Sequence, residues 1–249
     1  MQGRNYLDLL KKYFWFSADE LKSLAIVIVV FAFIFSFREW GKETFDLFIG
    51  LGNFFRAIII VALGVFIHEA GQRLYALYIG FRTEVKVWWY GILAALILCF
   101  VSEGNLLFFA ATGVWIHHMA GHRLGHFRYG PNVQAFGIIA LMGPIANILA
   151  ATFVKFLQVN LHLIPLNSVF AEKFFFFNWL FAVLNLLPIP PLDGSRLLFY
   201  SRLTYAWFFG AIAGYLLFYA LGIYSFILAF FCGWLVWLIF YVFFERVWK

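Results

Sequence analysis

From Leu47 to Ile79 the chain stays apolar for long enough to cross a bilayer, yet it carries His68 and Glu69 inside that stretch. A crossing helix needs about 20 apolar residues. An ionisable side chain at membrane depth costs roughly 2.5 kcal/mol or more on insertion scales, so such residues usually face an internal cavity and take part in chemistry. Ile58–Ile67 runs directly into His68-Glu69-Ala70-Gly71-Gln72. This pair limits the fold, which has to enclose it. It is also the first half of the zinc-binding pattern H-E-x-x-H, with Gln72 in place of the second histidine.

Only 12% of the residues are charged and 65% are hydrophobic, whereas soluble domains average about 25% charged. The apolar runs are continuous rather than alternating, which argues against a membrane β-barrel. The expected class is an all-α polytopic membrane protein with about six transmembrane helices. The candidate spans are about Ser23–Phe37, Leu47–Ile79, Val133–Leu157, Phe174–Leu192, Tyr205–Leu221 and Ile223–Phe244. The polar, mixed-charge stretch from Met1 to Lys22 predicts a short amphipathic helix on the membrane surface rather than a cleavable signal peptide. Cys99 and Cys232 lie in apolar segments and read as packing residues. The formal net charge of +6 needs no nucleic acid to explain it, because basic residues flank membrane spans.

Between the second and third spans the character changes. Thr83–Trp89 alternates polar and apolar residues and predicts a β-strand. The runs Ile92–Val101 and Leu106–Ile116 are each too short to span and are expected to form strands or a re-entrant hairpin, buried against protein. Of 18 Lys and Arg, all but Arg38, Lys42, Arg56, Lys155 and Lys173 fall on the side of the two termini. The positive-inside rule then puts both termini in the cytosol. In that orientation His68-Glu69 and Leu192-Asp193-Gly194 lie near the inner ends of their spans, at a similar depth. Two polar motifs distant in sequence are thus expected to share one site.

Three motifs carry a resemblance. They are His68-Glu69-x-x-Gln72, Gly143-Pro144-Ile145-Ala146-Asn147, and the run from Asn185 through Pro188, Pro190 and Pro191 to Leu192-Asp193-Gly194. In this order they resemble H-E-x-x-H, G-P-x-x-N and N-x-x-P-x-P-x-L-D-G of the site-2 protease family of intramembrane zinc metalloproteases. The resemblance covers about residues 52–203, within a single membrane-embedded domain of residues 1–249; the helices at about 23–37 and 205–244 are peripheral. It implies zinc as cofactor, His68 and Asp193 as ligands, and Glu69 as the general base toward water. It implies that Asn147 and Asn185 position substrate or polarise the scissile carbonyl. The prolines are expected to break the fourth span so that an extended segment places Asp193. Substrates would be transmembrane segments of membrane proteins, and the location a multi-pass position in a prokaryotic plasma membrane.

Gln72 departs from the family pattern. An amide oxygen is a weaker zinc ligand than imidazole, so Gln72 reads as a poor ligand in a weakened site, as replaced by another histidine, or as the mark of a metal-free pseudoprotease that binds membrane helices. His117, His118 and His122 are candidate supplementary ligands; a solvated interfacial loop is the plainer reading of that cluster. Gly143-Pro144 also reads as a helix kink with close packing. Phe174–Phe177, Trp234 and Trp237 read as lipid contacts. A transporter with an intramembrane carboxylate would account for Glu69 but not for Leu-Asp-Gly.

Overall fold

The computed structural model describes residues 2–41, 44–118, 133–223 and 225–246. In chain order the elements are α1 (Gln2–Tyr13), α2 (Ala18–Ser36), α3 (Leu47–Tyr78), β1 (Phe81–Val87), α4 (Trp89–Val101), β2 (Thr112–His118), α5 (Val133–Val159), α6 (Val169–Asn185), α7 (Asp193–Tyr200), α8 (Arg202–Ala220) and α9 (Phe226–Phe240), which runs on as a π-turn over Tyr241–Glu245. The protein is 73% helical.

Among the described residues, four helices are long and apolar enough to cross a membrane: α3, α5, α8, and α9 with its continuation to Glu245. The other two expected spans differ in recognisable ways. Helix α2 opens on Ser17, whose hydroxyl accepts from the Glu20 backbone while the Glu20 carboxylate takes the Ser17 N–H. This reciprocal cap starts the helix in polar sequence, so Asp19, Glu20 and Lys22 occupy its first turns. Helix α6 has 17 residues and ends at Asn185 rather than Leu192. Beyond it Pro188, Pro190 and Pro191 cannot donate the backbone hydrogen bonds of a helix. The chain there is irregular until α7 begins at Asp193.

The region between α3 and α5 also departs from expectation. The predicted strand is present as β1, paired antiparallel with β2 from Phe81–His118 to Val87–Thr112. The run from Ile92, however, belongs to the 13-residue helix α4. Residues 106–111 are irregular, and only Thr112 onward forms a strand. A short apolar run has no periodicity that separates strand from buried helix.

Two apolar clusters surround α3, α5 and α6. Val27 and Phe31 of α2 meet Val61 and Val65 of α3, Phe109 of the α4–β2 connection, and Phe177 and Phe181 of α6. Ala151 of α5 joins Phe175 and Trp179 of α6, Leu197 of α7 and Tyr215 of α8. Phe174, Phe175 and Phe177 are buried against protein, not lipid, whereas Trp234 stays 48% exposed. The phenylalanines turn inward because α6 is enclosed by neighbours on several sides. Helix α3 approaches α5 closely at Gly71, where a Cβ would lie 2.6 Å from the Ala146 Cβ and 2.8 Å from the Met142 carbonyl oxygen. Small residues allow such approach between apolar helices.

A buried ion pair ties the elements at this end of α3 together. The Arg73 guanidinium donates to Glu20, to the Thr83 carbonyl at 3.2 Å and to the Phe14 and Trp15 carbonyls at 3.1 Å each. The same Glu20 carboxylate accepts from Val85 N–H at 3.1 Å. One charge pair thus joins the α1–α2 connection, α2, α3 and β1. Removing one partner leaves a buried, uncompensated charge, which costs about 3–5 kcal/mol. Glu20→Ala is therefore expected to lower the thermal unfolding midpoint of the purified protein sharply. A midpoint unchanged from wild type would contradict this role.

Candidate active site

Five of the residues singled out in the sequence lie on three helices that face one another. His68, Glu69 and Gln72 come from adjacent turns of α3, Asn147 from α5, and Asp193 from the first position of α7. Residues four apart share a helix face, so Gln72 stands directly beside His68. Helix α5 comes against the imidazole at Gly143, where a Cβ would lie 2.5 Å from His68 Nε2. All of these polar side chains are buried: Asp193 is 4% exposed and His68 1%.

His68 is held on both sides. Its Nδ1 lies 2.7 Å from Asn147 Oδ1 and its Nε2 lies 2.9 Å from Asp193 Oδ2. Gln72 Nε2 donates to the same Asp193 oxygen at 2.8 Å, and lies 3.3 Å from His68 Nε2 and 3.4 Å from the Ala140 carbonyl. Gln72 Oε1 and Glu69 Oε1 are buried with no hydrogen-bond partner among the described residues. Unpaired buried oxygens are uncommon and costly, and here both occur in the same helix, next to His68.

Asn147 and Asn185 are engaged with the protein itself. Asn147 donates to the Gly64 carbonyl at 2.8 Å and to Asn178 Oδ1 at 2.7 Å. Asn185 donates to the Phe181 carbonyl at 2.9 Å and, more weakly, to the Phe109 carbonyl at 3.4 Å. Asn147 thus orients His68 and has no donor left for a substrate carbonyl in this arrangement. Two further residues reach the site. Arg196, one turn beyond Asp193, places Nη1 3.6 Å from Asp193 Oδ1 and donates through Nη2 to the Val114 carbonyl of β2. Asn178 extends the contacts of Asn147. Its signal in the sequence was a lone amide closing the run Phe174–Phe177.

Of the histidine cluster, the described side chain is that of His117. The His117 Nε2 lies 3.5 Å from Glu84 Oε2, and its side chain is half exposed. The strand alternation of β1 and β2 puts both residues on one sheet face. The His118 side chain and His122 lie outside the described residues. Among the described residues no group of three or more His, Cys, Asp or Glu could hold a metal ion.

The donor chemistry of His68 and Asp193 nonetheless fits a cation. An imidazole lone pair and a carboxylate oxygen at 2.9 Å repel unless a cation, a proton or a hydrogen-bond donor beside both, such as the Gln72 amide nitrogen, offsets the repulsion. Zinc binds both atom types at about 2.0–2.2 Å. Gln72 does not complete that set as it stands, because the atom it turns toward the pair is the amide nitrogen, which has no lone pair to give.

The chain is similar to a curated protein of Methanocaldococcus jannaschii named "Putative zinc metalloprotease", with 27% identity over 209 residues, 82% of this chain and 96% of that protein. No family model matches the chain. No solved structure matches it either. Likeness to a metalloprotease therefore extends along most of the chain and supports a metalloprotease-like family.

The close seat of His68 on α5 yields a direct test. Gly143→Ala forces the imidazole or the helix to move, and overpacking of this kind costs about 1–3 kcal/mol. The expected result is a lowered unfolding midpoint, whereas Gly143→Ser and Gly143→Ala variants as stable as wild type would show that His68 is not confined there.

Proposed function

We propose that the chain is an intramembrane metalloprotease of site-2 protease type, hydrolysing peptide bonds in or near transmembrane segments, with a weakened metal site. One observation carries this reading. His68 Nε2 and Asp193 Oδ2, 125 residues apart in sequence, meet at 2.9 Å within an apolar bundle. The neighbouring Glu69 Oε1 has no partner among the described residues, as expected of a group kept for water or substrate. The order of the three motifs and the name of the relative support the same reading.

His68 and Asp193 would hold zinc. Gln72 would contribute its amide oxygen after a half-turn of the side-chain amide, which exchanges the oxygen and nitrogen positions. Zinc, when bound, supplies the Lewis acidity that brings water to a pKa of about 7 and polarises a carbonyl. Glu69 acts as the general base, taking a proton from the attacking water and returning it to the departing amine. The apolar side chains of α2, α3 and α6 keep bulk water from the carboxylate. Asn185, whose contact to Phe109 is long, has a donor to offer a substrate carbonyl. In this reading α2 and α6 also cross the membrane, giving six spans within one membrane-embedded domain, and both termini face the cytosol of a prokaryotic cell. The partners are substrate transmembrane segments and lipid.

A second reading has its own observation. Gln72 Nε2 already donates to Asp193 at 2.8 Å and approaches His68 at 3.3 Å. That arrangement satisfies part of the site without metal, as expected of a pseudoprotease that binds membrane helices and leaves them intact.

Reporter cleavage separates the two. In the metalloprotease reading, purified protein cuts a reporter transmembrane substrate, and Glu69→Gln abolishes cleavage by about 10²–10⁴-fold, the range of general base contributions, while metal binding persists. Gln72→His is expected to raise zinc affinity by more than about 100-fold, since even groups outside the ligand set contribute roughly 10–100-fold. If Gln72→His gains neither metal nor cleavage, the pseudoprotease reading stands instead.

A further inference from the structure

We propose that Asn178, acting through Asn147, keeps the proton of neutral His68 on Nδ1 and so reserves the Nε2 lone pair for the Asp193 side. Asn178 is a positioning residue in this scheme; it touches neither Asp193 nor Glu69 by any hydrogen bond among the described residues. The proposal rests on the protease reading only for its purpose, since a metal-ligating imidazole has to present a bare nitrogen. The proton's position is set by hydrogen-bond polarity alone.

The logic runs from two backbone carbonyls inward. Asn178 Nδ2 lies 2.8 Å from the Phe174 carbonyl oxygen. A carbonyl only accepts, so this end of the amide is the nitrogen, and the other end, facing Asn147, is the oxygen. Asn147 Nδ2 lies 2.7 Å from that oxygen and 2.8 Å from the Gly64 carbonyl oxygen. Both neighbours accept, so both amide hydrogens of Asn147 are committed to them. The atom of Asn147 that faces His68 at 2.7 Å is therefore its oxygen. An amide oxygen has no proton to give. His68 Nδ1 has to be the donor, and in a neutral ring Nε2 is then unprotonated. Asn147 and Asn178 are fully buried, so no bulk water competes for these bonds.

The opposite pull makes the relay necessary. Asp193 Oδ2, 2.9 Å from Nε2, would take a proton on that nitrogen. Which ring nitrogen carries the proton is set by the hydrogen bonds the ring makes, so the flanking acceptors decide between the tautomers. The Gly64 carbonyl and the Asn178 oxygen both hold the Asn147 NH2 group away from Nδ1. Without Asn178, the Gly64 carbonyl alone opposes a turn of that amide toward the wrong tautomer. Gly64 leaves room for the arrangement: a Cβ there would lie 3.2 Å from Asn178 Oδ1 and 2.5 Å from the Phe177 ring. Neither the His-Glu pair nor the Leu-Asp-Gly motif contains Asn178, which stands on α6 among phenylalanines.

The test is nitrogen NMR of the full chain labelled with 15N-histidine, chelator-treated and reconstituted in lipid nanodiscs, at alkaline pH so that the ring is neutral. The His68 signal is assigned by its loss in His68→Gln. Wild type is expected to carry the His68 proton on Nδ1. Asn178→Leu, which keeps the branched side-chain shape of Asn but cannot accept, is expected to move population toward the Nε2 proton and to weaken cobalt binding about 10–100-fold. A wild-type ring protonated on Nε2 overturns the proposal, whatever the variant does. So does a folded Asn178→Leu variant whose His68 signal matches wild type. The wild-type spectrum needs neither metal nor substrate, so its outcome is independent of whether the chain cleaves peptides.

Discussion

The contact between His68 and Asp193 at 2.9 Å is the interaction around which the rest of the structure is arranged. Neither group tolerates an apolar bilayer alone. Each needs partners, and those partners come from different helices. Asn147 on α5 takes one side of the imidazole, and Gln72 of α3 and Arg196 of α7 take the two oxygens of Asp193. To bring them together α3 and α5 have to lie almost in backbone contact, which Gly71 and Gly143 permit. Helix α6 has to stop at Asn185 so that α7 can begin at Asp193, which the proline-rich stretch enforces. The packing of this region follows from satisfying a few polar atoms where water is scarce.

The parts legible in the sequence are those where composition and spacing act together. A His-Glu pair at the end of a long apolar run has few places to go, and its depth relative to Asp193 follows from the direction of the spans. The alternation in Thr83–Trp89 was strong enough to locate β1 within two residues of its observed start at Phe81. The proline cluster marked the break in the chain, though not that α6 ends before it and already starts at Val169. The likeness to a zinc metalloprotease over most of the chain agrees with the motifs in kind, without reaching the finer family assignment.

What was not legible depends on tertiary neighbours. Arg73 is 2% exposed because Glu20 arrives from another helix, a partner no local pattern announces. Nothing local distinguishes the apolar run of α4 from a strand. Phe174, Phe175 and Phe177 look like lipid-facing residues until α6 is known to be enclosed. The hydrogen bonds of Asn147 to His68, Gly64 and Asn178 join three helices that meet only in the fold. Gln72 is the most informative departure. Its nitrogen sits where a second imidazole would offer a lone pair, and the side chain can present either end of its amide. That ambiguity is why the same site reads as a weak metal centre or as a metal-free relic.

The most direct measurement is equilibrium binding of zinc to the purified, chelator-stripped chain in lipid nanodiscs, compared with His68→Ala and Asp193→Ala. A metalloprotease-type site built on His68 and Asp193 predicts one saturable zinc site per chain that is lost in both variants. No saturable site in the wild type, or a site that survives both substitutions, would contradict the account.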